Sequence, residues 1–325
     1  MLESDLRLLR CPQCKADLSK LEPSRVSADG EVEEGRILCR CGAAYAIRDG
    51  IPHFVDDQAY TGSFGWQWKR WPRVQFDSEN VGTPMEGFTS RRFFHVTEVE
   101  PAWIHGKCIL EVGCGPGRFL DVVERHGGRA VGLELSEAAN VARSNLRGRN
   151  VLVVRGDALT PPFRDGVFDG AYSIGVLHHT PAPESAFRAM VRTVKQGGRV
   201  SAHVYSRYDG YFIKQTEVYR KLFSVLGWRA LLAYSYFSAG VAYYLAKIPL
   251  LRVAVRLVFP FKTPPSFRWR LLNIFDWLSP THMSYHGTRE VYEWFRNAGC
   301  REIEPGHEGP TTFTALAPGE PAAQG

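Results

Sequence analysis

Between residues 106 and 206, short apolar runs alternate with stretches whose apolar positions recur every three or four residues. That alternation of strand-like and helix-like periods is the pattern of βαβ units and so of a parallel sheet. The runs predict strands at 107–112, 130–133, 151–155, 170–174 and 199–205, the last entered through a turn at Gln196-Gly197-Gly198. Pro183–Val194 places Ala186, Met190, Val191 and Val194 on one face and predicts a helix. The alternation resumes with a helix over Thr288–Ala298 and a strand over Thr311–Ala317. Residues 1–57 hold paired cysteines, 58–105 are aromatic and turn-rich, and 207–282 are apolar, aromatic and basic. The Pro/Gly/Ala-rich segment 318–325 is expected to fray.

Composition narrows the picture. With 325 residues, 44% hydrophobic and 23% charged, the chain has room for one large domain and a small one. Four of seven cysteines form two close pairs and the other three are scattered, which suits a reducing compartment. Met1–Arg10 has no apolar stretch before a small-residue cleavage site, so a cytoplasmic protein is expected. The net charge is +6, yet Val218–Phe275 carries nine basic residues and no acidic one. The rest of the chain is therefore at −3, and general nucleic-acid binding is not expected.

Glu111-Val112-Gly113-Cys114-Gly115-Pro116-Gly117 ends the first predicted strand and leads into a helix starting near Arg118. Closely spaced glycines let backbone turn sharply and approach a ligand. Glu111 at the strand end can bind an ammonium group. Glu134, twenty-one residues past Gly113 at the tip of the next strand, is where a carboxylate accepts from ribose hydroxyls. Gly156-Asp157-Ala158 ends the third strand with a carboxylate suited to an adenine amine. A dinucleotide-binding loop is the competing reading, but its third glycine comes one residue early, at Gly117, and that fingerprint gives Asp157 and His178-His179 no role.

This stretch resembles the class I S-adenosylmethionine-dependent methyltransferases, in the branch acting largely on small molecules. The resemblance rests on Glu111–Gly117, Glu134, Gly156–Ala158, Phe168–Thr180 and Val194–Arg199. It covers 106–206 well and 283–317 loosely, and departs at Gln196, where the family usually has proline. It implies an α/β fold with a Rossmann-like, mostly parallel seven-stranded sheet, and S-adenosylmethionine held by Glu111, Gly113, Gly115, Gly117, Glu134, Asp157, Ala158 and Ser173.

Cys11-Pro-Gln-Cys14 and Cys39-Arg40-Cys41 are two thiol pairs separated by 24 residues. Two such pairs suit a closed tetrahedral zinc site, which would be structural because four protein ligands leave no open position. A small unit of this size gains from such a staple. With the Tyr45–Pro52 segment, the zone resembles the zinc-ribbon family of small activator subunits of tRNA and translation-factor methyltransferases, here fused in cis. The ribbon and the α/β domain are expected to have separate cores.

Phe64–Trp71 (FGWQWKRW) reads equally as a lid over a cofactor and as a linker packed on the catalytic domain. His178 and His179 follow the fourth strand, where ligands bind in open α/β sheets, and are candidate bases. His203 and His286 are weaker ones. Residues 207–282 are expected to form a mostly helical cap roofing the acceptor site. The longest uncharged run, Ala230–Ala246, is 17 residues, too short to span a bilayer. Leu250, Val253, Leu257 and Val258 share a helical face, with Arg252 and Arg256 on another. Such a helix suits an anionic membrane surface, a lipophilic pocket or a buried cap with solvated arginines.

The expected activity is methyl transfer to an O or C atom of a small acceptor with an anionic and a greasy part, at the cytoplasmic face of a membrane or free of it. The alternative is a partner-dependent or non-catalytic nucleotide-binding module whose ribbon docks protein or RNA.

Overall fold

The computed structural model describes residues 1–55, 62–208, 210–245, 247–251, 255, 259, 264–280 and 282–319. The N-terminal unit is a four-stranded antiparallel meander of β1 (Leu18–Val26), β2 (Val32–Cys39), β3 (Ala44–Arg48) and β4 (Ile51–Pro52). The second sheet contains β5 (Cys108–Val112), β6 (Arg129–Glu134), β7 (Val151–Arg155), β8 (Phe168–Ile174), β9 (Val194–His203), β10 (Arg301–Pro305) and β11 (Thr312–Leu316). Across it the order is β10-β11-β9-β8-β5-β6-β7, with β5 to β9 mutually parallel and β11 running antiparallel to both its neighbours, β9 and β10. This is the expected Rossmann-like seven-stranded sheet.

Helices α2 (Phe88–Thr97), α3 (Pro101–Ile104), α4 (Arg118–Arg125), α5 (Ala138–Asn145), α6 (Pro183–Arg192) and α10 (Thr288–Asn297) flank that sheet; between α6 and α10 come α7 (Gly210–Leu226), α8 (Trp228–Leu245) and α9 (Phe267–Leu278). Alternation along the strands feeds two cores. Leu110, Val112, Val131, Leu133, Leu152 and Val154 pack on one side with residues of α6 and α10. Ile109, Ala130, Val151 and Val153 pack on the other with Phe93, Phe119, Leu120 and Ala142.

Three boundaries differ from the sequence pattern, each for a physical reason. Strand β9 begins at Val194, not 199, and α6 stops at Arg192 to let Val194 pair with Phe168. The expected Gln196–Gly198 turn is a bulge inside that strand, with Gly197 at φ 67°, because the register jumps from Phe168 opposite Val194 to Gly170 opposite Arg199. Strand β10 lacks an apolar run: it is a mostly exposed edge strand reading Arg-Glu-Ile-Glu-Pro, the charged composition that protects an edge. The predicted face of Val253, Leu257 and Val258, with Arg252 and Arg256, lies outside the described residues.

The expectation of separate cores is overturned. Leu9, Ile37, Tyr45, Ile47 and Phe54 of the N-terminal unit belong to the same buried cluster as Leu110, Val131, Val154 and Phe163. The backbone is stitched as well: Arg10 N–H to Pro162 O at 3.0 Å, Arg164 N–H to Leu8 O at 2.9 Å and Phe54 N–H to Arg155 O at 2.8 Å. His53 pairs in parallel with Arg155 of β7. The ribbon therefore covers the free edge of the large sheet, where unpaired backbone groups would otherwise invite another strand.

Candidate active site and thiol cluster

Three glycines of the loop after β5 adopt left-handed backbone, Gly113 at φ 80°, Gly115 at 51° and Gly117 at 88°. Gly113 has no room for a side chain: a Cβ there would lie 2.3 Å from Val176 Cγ1. The Gly113 and Cys114 amides donate to Leu133 O at 2.7 and 3.1 Å, and the Gly115 amide donates to Glu134 Oε2 at 2.9 Å. Ser136 holds the other oxygen, Oε1, through its amide at 2.9 Å and its hydroxyl at 2.6 Å. Glu134 is thus fixed at the tip of β6 against the loop.

The other candidates converge on the same sheet edge. Asp157, half-buried, follows β7 and accepts the Leu159 amide at 2.9 Å. Gly156 N–H donates to Glu134 O at 3.0 Å, which ties this turn and the neighbouring Ala158 to the tip of β6. Glu111 is buried and receives the Tyr172 hydroxyl at 3.2 Å. Burial pushes its carboxyl well above the usual range, opposed by the positive charge of Arg118; a cation seated beside it would reverse that. Burial also draws Arg118 down to about 9, reinforced by Arg92, while Glu111 and Asp276 act the other way. Ser173 is fully buried and donates to Val112 O at 2.9 Å, so its hydroxyl braces the strand that carries the loop.

The aromatic segment is a helix, α1 (Gly62–Arg70), and its tryptophans reach two parts of the chain. Trp68 Nε1 lies 3.3 Å from where a Cβ on Gly115 would stand, which sets the indole over the glycine loop. Trp66 faces the other way, 5.1 Å from the Phe275 ring and 5.0 Å from Trp228. Gln67 between them is buried and donates to Asp276 Oδ1 at 2.6 Å.

His178 is fully buried, stacked on Tyr205 at 3.8 Å, and neither ring nitrogen has a hydrogen-bond partner among the described residues. Burial drives its pKa well below the ordinary value. His179 Nδ1 lies 2.9 Å from His282 O, which requires the proton on Nδ1 and makes Nε2 the basic nitrogen. Desolvation takes the ring down to about 4, so it is a neutral base at physiological pH. His203 Nδ1 is 2.8 Å from Thr312 Oγ1. His286 joins Ser284 Oγ at 2.8 Å and Glu290 Oε1 at 2.7 Å, bracing the segment whose Ser284 amide donates to His178 O.

Sequence reasoning missed Tyr205 and Asp276. Tyr205 is sandwiched between His178 and Trp277 of α9, the latter at 4.5 Å. Asp276 is the first acidic residue after the acid-free run, a signal that was available, and burial raises its carboxyl pKa against the Gln67 hydrogen bond.

Helices α7, α8 and α9 with Trp71 have an apolar core of their own, built on Phe223, Leu231, Leu272 and Phe275. A cavity of about 700 Å³ opens among them, lined by Trp66, Phe223, Trp228, Leu278, Arg220 and Lys221, within the usual size range of small-molecule sites. Not all insertion arginines are available to a ligand. Arg270 is buried, donating to Ala239 O at 2.8 Å and Pro265 O at 2.8 Å, with Tyr243 under its guanidinium.

The four thiols form one cluster, every Sγ within 4.8 Å of the others. Each pair sits on a tight turn. Lys15 at φ 62° closes the first, with Lys15 N–H to Cys11 O at 3.0 Å, and Gly42 at φ 89° the second, with Gly42 N–H to Cys39 O at 3.0 Å. The Cys14–Cys39 and Cys11–Cys41 sulfurs are 3.4 and 3.8 Å apart. A tetrahedron with zinc–sulfur bonds of ~2.3 Å has edges of ~3.8 Å, so the donor set fits zinc, and the spacing excludes a disulfide. Burial raises Cys11, but the Cys14 amide, the Tyr45 hydroxyl and the Gln13 amide outweigh it and bring it to about 6. Cys39 goes up to about 12: the Cys41 amide lowers it, while burial and the neighbouring thiols raise it.

Residues 110–202 match the family model described as a methyltransferase domain. The chain is 30% identical over 165 residues to 24-methylenesterol C-methyltransferase 2 of Oryza sativa subsp. japonica, covering 47% of this chain and 44% of that protein. It is 35% identical over 101 residues to the ubiquinone biosynthesis O-methyltransferase of Alkalilimnicola ehrlichii, covering 30% and 41%. It thus spans less than half the length of either relative. Among solved structures, a complex of the Haloferax volcanii Trm112 methyltransferase activator with a methyltransferase is similar at 15% identity and TM-score 0.48, over 81% of this chain and 99% of that one.

Proposed function

We propose that this chain, whose residues 110–202 match a methyltransferase domain, is a class I S-adenosylmethionine-dependent methyltransferase that moves a methyl group to an O or C atom of a small acceptor with an anionic and a lipophilic part. The observation that carries this reading is the juxtaposition around α1: Trp68 covers the glycine loop, and Trp66 lines the cap cavity that also holds Lys221 and the Arg220–Glu217 ion pair.

In this reading the cofactor lies along Glu111, Gly113, Gly115 and Gly117, with its ammonium toward Glu111, its ribose at Glu134, its adenine between Asp157 and Ala158, and Ser173 bracing the loop from behind. The sulfonium supplies the methyl group. The chain's own residues orient the acceptor and exclude water, since an in-line displacement gains mainly from positioning. His179, neutral at physiological pH, would be the residue to take a proton from an acceptor hydroxyl; His178, buried and stacked on Tyr205, would shape the wall beside it. Trp66 and Trp68 are two positions apart, about 200° around a helix, so α1 is the partition the acceptor's reactive end must pass. Cys11, Cys14, Cys39 and Cys41 hold one structural zinc.

The test is transfer of an isotope-labelled methyl group from S-adenosylmethionine into extracts separated by polarity. Label in an acidic, organic-soluble small molecule is expected. Label only in protein or RNA, or none, contradicts the reading.

A further inference from the structure

The outer surface of the cap does not look like a solvated one. Thirteen of the eighteen exposed large apolar residues among the described residues lie between Tyr208 and Phe267. On α7, Val218, Lys221, Leu222 and Val225 are all exposed and recur at i, i+3, i+4 and i+7, one stripe of a helix. Val225 is 84% exposed. The opposite face of α7 sends Phe223 into the cap core. Helix α8 repeats the arrangement: Leu231, Ser235, Ala239 and Ala242 face inward, while Arg229, Tyr236, Phe237 and Tyr244 face out. These helices bury one face normally and leave a second apolar face uncovered.

The charges on that face have one sign. Arg229, Lys247 and Arg268 are exposed together with Lys221, and no acidic residue occurs from Val218 to Phe275. Glu217, at the border, is engaged with Arg220 at 2.7 Å. A face for another protein copy would need acidic groups to meet these cations, and within this stretch it has none. An apolar face carrying only cations complements an anionic bilayer, where aromatic and aliphatic side chains enter the headgroup region and basic ones meet lipid phosphates. No described helix is long and apolar enough to cross a membrane, so the mode is surface docking. The cavity opens on the same surface: Lys221, Ser224 and Trp228 both line it and are exposed.

We propose that the outer face of α7 and α8 docks on an anionic membrane surface and that the cap cavity opens toward that membrane, so that an anionic amphiphile enters it from the lipid phase. The entry step rests on the acceptor reading given above; the docking step stands on the surface alone.

The test is co-sedimentation of the full chain with vesicles of phosphatidylcholine alone or with phosphatidylglycerol added, at low and high salt. Binding to the anionic vesicles only, weakened by salt, is expected. The variant Arg229→Gln/Lys247→Gln/Arg268→Gln should partition about tenfold or more less strongly, and Leu222→Glu/Val225→Glu, at exposed positions, should remain in the supernatant. Calorimetric binding of S-adenosylhomocysteine by each variant separates the two readings: retained cofactor binding with lost sedimentation confirms that the face does the docking. A wild type that ignores anionic vesicles, or binds neutral ones equally well, overturns docking and leaves the methyltransferase reading intact. So does light scattering that shows a dimer dissolved by Leu222→Glu/Val225→Glu.

Discussion

The ribbon and the cap are both additions to one α/β sheet, and they are attached in opposite ways. The ribbon shares the sheet's core, covers its β7 edge and matches its charges: Asp5 with Arg129, Glu31 with Arg143, Arg10 with Asp165 at 2.9 Å and Asp49 with Arg147 at 2.7 Å. The cap keeps a core of its own and leaves an apolar, cationic face and a cavity open. A surface whose charges and edges are satisfied by the same chain is a structural joint. A surface left apolar and of one charge sign is one that meets something else. Damage to the ribbon should therefore appear as lost stability of the whole chain, and damage to the outer cap as lost binding with stability kept.

The largest expected effect is that of Cys11→Ser/Cys14→Ser. Elemental analysis should find about one zinc per wild-type chain and almost none in the variant, with a stability loss of several kcal/mol. Because the core is shared, thermal melting of the whole sheet should shift in a single transition. A second, unshifted transition would break the comparison by showing independent units.

Next comes Arg143→Met. Arg143 is 4% exposed at its side chain, pairs with Glu31 and donates to Asp49 O at 3.2 Å. Its removal leaves a partly buried carboxylate uncompensated, at a cost of about 3 kcal/mol in urea unfolding. The pair should show a pH signature. Burial raises the Glu31 pKa, but the Arg143 hydrogen bond outweighs it and holds the pKa below the ordinary 4.5. A depressed carboxylate contributes stability that is complete above its unfolded value and is lost as pH falls through the folded one. The penalty of Arg143→Met should thus shrink below about pH 4.5; a penalty unchanged in acid would show that packing and not charge explains it.

Trp68→Ala should weaken S-adenosylhomocysteine binding about tenfold, roughly 1.4 kcal/mol, with a small effect on melting. Unchanged affinity in calorimetry would reduce α1 to a packing element. The smallest effect is on stability in the cap: Arg229→Gln/Lys247→Gln/Arg268→Gln should stay within about 0.5 kcal/mol of wild type. A larger loss in urea unfolding would mean that these cations brace the fold, and would erase the contrast with the ribbon.

The same contrast explains what was legible in the sequence. Strands β5 to β8 were readable within two residues, because buried parallel strands are short apolar runs bounded by glycine. Glu111, Glu134 and Asp157 were readable because each ends such a strand, and the structure brings all three to one sheet edge. Strand β10 was not, since an exposed edge strand carries no apolar period. The ribbon's fusion with the sheet core was hidden as well: apolar residues such as Leu9 and Phe54 do not declare which partner they meet. Tyr205 meets Trp277, and Gln67 meets Asp276, from β9's end, α9 and α1, far apart in sequence, and no local spacing announces them.

The central claim is that the glycine loop with Glu134 and Asp157 binds S-adenosylmethionine. Isothermal titration of S-adenosylhomocysteine and of NADH into wild type and Gly115→Trp, with circular dichroism to match their folds, tests it most directly. The account predicts one saturable site for the homocysteine compound on wild type, none on a folded Gly115→Trp, and no NADH binding; equal binding by both proteins, or tight NADH binding with none of the homocysteine compound, would contradict it.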